Sequence, residues 1–229
     1  MTNSEVQQIA KITMSFIKSQ IKVGMNLQEL RNIAENKMLS IGATSFWYYN
    51  IGAFIFSGED TTLSISGRHY KTANKIIKEN DIITVDLSPQ VNKTWGDYAR
   101  TIIIENGTVV NDIESISNVE WKNGLIMEDI LHKELLSFAT PEKTFEDVYF
   151  YINESIDKKG YENLDFLSNL GHSITTNKKD RVYIEKGNKM TLGSVKYFTF
   201  EPHIALKYSK YGFKKENIYN FKNFALTKV

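Results

Sequence analysis

The 229-residue sequence contains no cysteine, which removes disulfides, thiolate metal ligands and a cysteine nucleophile before any motif is read. Any metal must be held by oxygen and imidazole. An excess of either charge is also missing, since 28 Lys and Arg face 27 Asp and Glu. The concentrated positive field on which nucleic-acid binding rests is therefore absent, and the Lys-rich stretch from Lys207 to Lys215 reads as a solvated face. No apolar run approaches the roughly 18 residues of a membrane span. The opening residues are interrupted by Glu5, Gln7, Gln8, Lys11 and Lys18, so they lack the apolar core of a signal peptide. The expectation is a cytoplasmic protein with neither nucleic acid nor membrane as partner. No Pro-, Ser- or Gly-rich linker and no short-period repeat divides the chain, and residues 1–229 read as a single domain long enough to bury a large core.

What is present is periodic. Val6, Ile9, Ile12 and Phe16 follow helical spacing up to a stop at Gly24, and Asn26 can cap a second helix carrying Leu27, Leu30, Ala34 and Met38 on one face. The runs DIITVDL (81–87) and DYARTIII (97–104) are rich in β-branched residues and read as a hairpin about residues 91 and 92. Helical spacing resumes over 113–138. Thr144 with Asp147 three residues on forms a capping box for a helix through Ile156, closed by Gly160. Short strand-like runs fill the last third. Helices grouped with hairpin-connected strands give an α+β class.

Acidic residues stand where apolar strands make them costly. Asp86 interrupts a run of Ile, Val and Leu, and the hairpin symmetry puts it across from Asp97. Two like charges facing each other destabilise a sheet unless something neutralises them. A bound cation would do so, as would a proton shared between the two carboxyls, while either aspartate alone could be satisfied by backbone donors or Arg100. Glu201 closes the run YFTFEP, where burial without a partner is expensive. Glu216 alternates with Lys214 and Ile218, and His172 follows Leu170-Gly171; taken singly, these read as a surface salt bridge and an ordinary histidine. Together the five residues carry four carboxylates and one imidazole, a donor set suited to two ions of Mn²⁺, Fe²⁺, Co²⁺ or Zn²⁺.

The segments NDIITVDLSPQVNKTWGDYARTI, LGH at His172, FTFEP at Glu201 and YGFKKENIY at Glu216 resemble the methionine aminopeptidase and Xaa-Pro aminopeptidase (prolidase) family over Lys22 to Ile218. The resemblance implies a pita-bread fold, in which two pseudo-symmetric halves enclose a dinuclear metal site. It further implies metal ligation by Asp86, Asp97, His172, Glu201 and Glu216, with Asp97 and Glu216 bridging both ions. Glu201 would also handle the proton of the attacking water. His69, in SGRHY, resembles the substrate-side catalytic histidine, at an interval closer to the Xaa-Pro branch. The implied activity is a manganese-type metallo-aminopeptidase or dipeptidase acting on short peptides, with a homodimer as the assembly allowed for. A creatinase-like hydrolase of a non-peptide C–N bond and a non-catalytic binding protein on the same fold are the alternatives.

The pattern breaks at two places. Family members carry a second histidine seven residues after the first, where this chain has Lys179, and the Xaa-Pro branch has another where this chain has Ser168. Lys179, as a fixed cation, and His203 could stand in for these imidazoles; the equal alternative is a solvent-exposed Lys179 and a His203 packed on the sheet.

Overall fold

A computed structural model describes residues 1–229. Helices α1 (Asn3–Gln20) and α2 (Leu27–Ser40) lead into β1 (Ser45–Phe46) and β2 (Ala53–Ser57). A meander follows: β3 (Asp81–Leu87), β4 (Pro89–Val91), β5 (Thr94–Trp95), β6 (Tyr98–Glu105) and β7 (Thr108–Val110). Helices α3 (Val119–Phe138) and α4 (Phe145–Lys158) come next, then β8 (Tyr161–Asn163), β9 (Phe198–Phe200), β10 (His203–Leu206), β11 (Gly212–Lys214), β12 (Asn217–Lys222) and β13 (Ala225–Lys228). The caps are those expected: Asn26 accepts from Gln28 N at the start of α2, and Thr144 and Asp147 close a reciprocal box on α4.

The four-stranded antiparallel sheet β2-β3-β6-β7 separates two cores. One face, through Ile83, Val85, Leu87, Ile102 and Ile104, packs on α1 and α2. Its other face, through Ile82 and Ile103, joins a cluster built from α3, α4 and the C-terminal strands, including Leu131, Phe145, Phe198 and Phe213. Each wholly buried Ile, Leu or Phe in such a cluster contributes about 1.5–3 kcal/mol. The strict alternation of β3 is therefore consumed on both sides. Thr84 and Asp86, on the face of Ile82, line a pocket between the halves. This α+β arrangement is the pita-bread fold that the motifs implied.

The hairpin register differs from the one expected. Asp86 lies opposite Ala99 rather than Asp97, and Gln90 and Val91 pair with Trp95 and Thr94. The turn falls at Asn92-Lys93, one residue later, because Asn92 takes a left-handed φ of 55°, which asparagine tolerates better than most residues. A slip of two residues keeps every side chain on its face, so Asp97 still shares the face of Asp86.

Asp97 stands just before β6, and α1 holds it there. The wholly buried Gln7 accepts from Asp97 N at 2.9 Å and donates to Asp97 O at 2.6 Å, satisfying a backbone that has left the ladder. Replacing Gln7 by Leu leaves that buried N–H and C=O unpaired and should cost about 2–4 kcal/mol. Urea unfolding with the slope unchanged is the measurement, and a loss under about 1 kcal/mol would show that Gln7 does not support this segment.

Candidate metal centre

Three carboxylates converge where the two halves meet. Asp86 from β3, Asp97 ahead of β6 and Glu216 between β11 and β12 each bring an oxygen within 4.8 Å of the others. Asp97 and Glu216 are buried, at 4 % and 0 % exposure, and neither oxygen of Glu216 has a hydrogen-bond partner. The backbone of Glu216 is fixed on both sides, by its N–H donating to Ala99 O and by its carbonyl accepting from Arg100. Arg100 spends its guanidinium on that carbonyl, on Ala99 O and on Asn217, so it does not neutralise the aspartates.

His172 and Glu201 complete the group. Gly171 before the histidine has φ 143°, and a Cβ there would meet Thr199 O at 2.3 Å, so only glycine lets this segment lie against β9. Thr199 then ties the two residues together: His172 N donates to Thr199 Oγ1 at 2.9 Å, and that hydroxyl donates to Glu201 Oε1 at 3.1 Å. Trp47, Trp95 and Tyr183 surround the imidazole, with centroids 5.6, 5.6 and 5.9 Å away. Because His172 Nδ1 lies 3.2 Å from the Ser173 carbonyl, Nδ1 carries the proton and Nε2 presents a lone pair. That lone pair faces Asp97 Oδ2 at 3.6 Å and Glu201 Oε1 at 3.5 Å.

The electrostatics follow from this crowding. Burial, then the charges of Asp86 and Glu201, push the Asp97 carboxyl well above the usual carboxylate range. Burial and the same cluster do so for Glu216. Burial lowers His172 to about 4, which leaves it neutral at physiological pH, so its approaches to Asp97 and Glu201 are not ion pairs. Burial also pushes Glu201 up, but the charge of Lys214 and the hydrogen bonds from Lys214 and Thr199 outweigh it and hold Glu201 below its ordinary value. Lone pairs of an unprotonated imidazole and several carboxylates aimed at one another are stable only around protons or a cation. This buried all-oxygen-and-imidazole set, with two orphaned oxygens on Glu216, fits a divalent metal ion.

The structure brings together Asp86, Asp97, His172, Glu201 and Glu216. His69 is not among them: it is exposed, in the turn at Gly67–His69, and does not line the pocket. Lys179 is likewise exposed and outside the pocket, and Ser168 does not line it either, lying in a left-handed conformation with its carbonyl held by Asn153 and Asn163. His203 does line the pocket. Its Nε2 donates to Thr61 O at 2.6 Å, and burial lowers it to about 4, leaving Nδ1 unprotonated. Two cations that sequence reasoning passed over are also in the lining, Lys214 and Arg181. Lys214 departs from the solvated face assigned to its stretch, although its i, i+2 spacing from Glu216 was a sign that both point one way. Arg181 lies over the rings of Trp47, Tyr183 and Tyr48, at 4.9, 5.5 and 5.9 Å.

Known proteins share this architecture. The family model of metallopeptidase family M24 matches residues 3–222. No curated protein matches the chain. Among solved structures, X-Pro aminopeptidase from Thermotoga maritima MSB8 is similar with a TM-score of 0.79 at 21% identity, over 97% of this chain and 58% of that one. Prolidase from Pyrococcus furiosus gives 0.79 at 20% identity, over 98% and 61%. Xaa-Pro dipeptidase from Bacillus anthracis gives 0.78 at 19% identity, over 98% and 58%. The chain thus spans about three fifths of the length of these proteins, and at such identities the likeness is one of fold.

Metal affinity should rise with pH. Asp97 and Glu216 must lose protons to ligate a cation, and both are held well above the ordinary carboxylate range. In the metal-free protein their protonated forms stabilise the fold at acid pH, and that stabilisation is lost as pH climbs through the raised values. The Mn²⁺-induced increase in Tm should therefore be larger at about pH 8 than at about pH 5. Thermal unfolding with and without Mn²⁺ measures it, and an equal or smaller increase at the higher pH would contradict the assignment.

Proposed function

The chain belongs to metallopeptidase family M24, and from that premise we propose that it hydrolyses the N-terminal peptide bond of short peptides, of the Xaa-Pro kind, at a two-metal centre. The single observation that carries this reading is the convergence of Asp86 and Asp97 with the donor-less carboxylate of Glu216, where the His172 lone pair faces Asp97 and Glu201. In it Asp86, Asp97, His172, Glu201 and Glu216 would hold two divalent ions, most simply Mn²⁺. When bound, the ions supply Lewis acidity, polarising the scissile carbonyl and acidifying a water.

The chain's own residues do the remaining work. Glu201, kept ionised by the charge of Lys214, accepts a proton from the attacking water and delivers it to the leaving nitrogen. His203, whose unprotonated Nδ1 is a free acceptor in a pocket-lining position, orients the substrate amine or amide N–H. It takes the substrate-side role expected of His69. Arg181, braced on aromatic rings, supplies a fixed positive charge for the far carboxylate of a dipeptide. The pocket of about 240 Å³, below the roughly 300–1,000 Å³ of sites for drug-sized ligands, favours a dipeptide or the first residues of a short peptide. Residues 1–229 act in this as one unit, dimeric or not.

A panel of Xaa-Pro and Met-Xaa peptides, assayed with Mn²⁺, Co²⁺, Fe²⁺ or Zn²⁺ added, tests the proposal. Cleavage of Xaa-Pro dipeptides is expected, and Glu201→Gln should lower kcat at least about 100-fold, in keeping with loss of a general base. Asp97→Ala should abolish binding of both ions, as read by elemental analysis. Turnover of a non-peptide amide with peptides inert would instead favour the creatinase-like reading. Absence of cleavage with every metal would overturn the proposal.

A further inference from the structure

One carboxylate of the pocket stands outside the metal cluster. Of the four acidic residues in the lining, Asp86, Asp97 and Glu201 belong to the candidate centre, and Asp165 lies apart on the loop after β8. That loop is built to hold it. Asp165 N donates to Asn163 Oδ1 at 3.0 Å, while Asp165 Oδ1 accepts from Leu167 N at 2.9 Å and from Asn169 N at 3.2 Å. Asn163 in turn donates to the Ser168 carbonyl at 2.9 Å. The carboxylate spends only Oδ1 on this turn, and Oδ2 accepts from no group of the protein. No cation is paired with it either. Lys214, whose charge reaches Asp165, is bonded to Asp86 and Glu201, and Arg181 lies on its aromatic rings. Burial pushes the carboxyl above its ordinary value against the pull of the two backbone donors, and the charge of Glu201 adds to the rise. The turn itself needs only an acceptor, which asparagine or serine would supply without charge. A half-buried anion beside other anions costs free energy that a cation offsets.

We infer that Asp165 is an ammonium-recognising residue of this pocket, its Oδ2 taking a primary ammonium of the peptide substrate. The inference rests on the peptidase reading above. An ammonium is a compact charge with three donors, so it can meet one carboxylate oxygen without a bidentate fork. The next two residues, Phe166 and Leu167, are exposed apolar side chains in the same lining, and they offer contact to the alkyl carbons that carry such a charge. A peptide presents this chemistry at its amino terminus or on a lysine side chain. Both would relieve the same unpaired oxygen.

The experiment compares Mn²⁺-loaded wild type and Asp165→Asn on Ala-Pro, on lactoyl-Pro, which lacks the α-ammonium, on Lys-Pro, and on norleucyl-Pro, which lacks the ε-ammonium. Asparagine keeps the Oδ1 acceptor, so the loop stays formed, which an unchanged Tm reports. Asp165→Ser carries the comparison where the asparagine variant does not fold. The expected result is a KM raised about tenfold or more, the size of one charge-assisted hydrogen bond, with kcat changed much less. A rise for Ala-Pro that is absent for lactoyl-Pro assigns the α-ammonium. A rise for Lys-Pro that is absent for norleucyl-Pro assigns the lysine side chain. An equal rise for all the peptides, or none above the roughly threefold effect of a distant charge, overturns the inference and leaves the peptidase reading standing. Where wild type cleaves none of them, the Xaa-Pro reading fails by itself. The same uncleaved peptides are then titrated by calorimetry, and Kd in place of KM decides the inference by the same comparison.

Discussion

Mutual repulsion of buried carboxylates is the constraint on which the rest of this structure depends. Two like charges about 4 Å apart cost about 4 kcal/mol at the effective dielectric of a protein's outer regions, and more when deeper. Here Asp97 and Glu216 are buried beside Asp86 and Glu201, so the fold must hold these groups together against their own charge. It does so through the backbone. Gln7 clamps Asp97, Arg100 and Ala99 clamp Glu216, and Thr199 joins His172 to Glu201. None of these clamps neutralises a carboxylate. They fix position and leave the charge to be met by protons, by Lys214, or by metal.

The location of the cluster follows from the layering. The central sheet serves two apolar cores, one on α1 and α2 and the other on α3, α4 and the C-terminal strands. Along β3 and β6 the face toward the second core is apolar at Ile82 and Ile103 and turns polar at Thr84 and Asp86, which line the pocket. The aromatic residues Trp47, Trp95 and Tyr183 close around His172. Packing on both sides holds the polar groups rigid, which suits a site where donors must converge on one point.

The cations of the pocket set this chain apart from the pattern its motifs imply. Two imidazoles of that pattern are replaced, and the replacing residues, Lys179 and Ser168, do not reach the pocket. Positive charge arrives from elsewhere, Lys214 within the cluster and Arg181 at its edge. His203, on the strand after Glu201, is the remaining imidazole beside His172.

Local chemistry was legible in the sequence. Helix caps at Asn26 and Thr144, the strand DIITVDL and the acidic interruptions at Asp86 and Glu201 are each a cost or a preference that a few neighbouring residues determine. The hairpin was read in the right place and two residues out of register, because the left-handed conformation of Asn92 is chosen by the whole ladder and not by the turn alone. Gln7, Thr199 and Arg181 carried no local signal: each matters through a partner or ring more than 20 residues away, brought near only by folding. Lys214 was half visible, since strand spacing aligned it with Glu216, but a lysine among lysines reads as solvated until burial is known. The sequence by itself therefore determined the donor types, their order and the faces they occupy. Tertiary structure alone decided which cations meet them and that His69 stays outside, because charge compensation depends on distances across the fold that spacing along the chain does not encode.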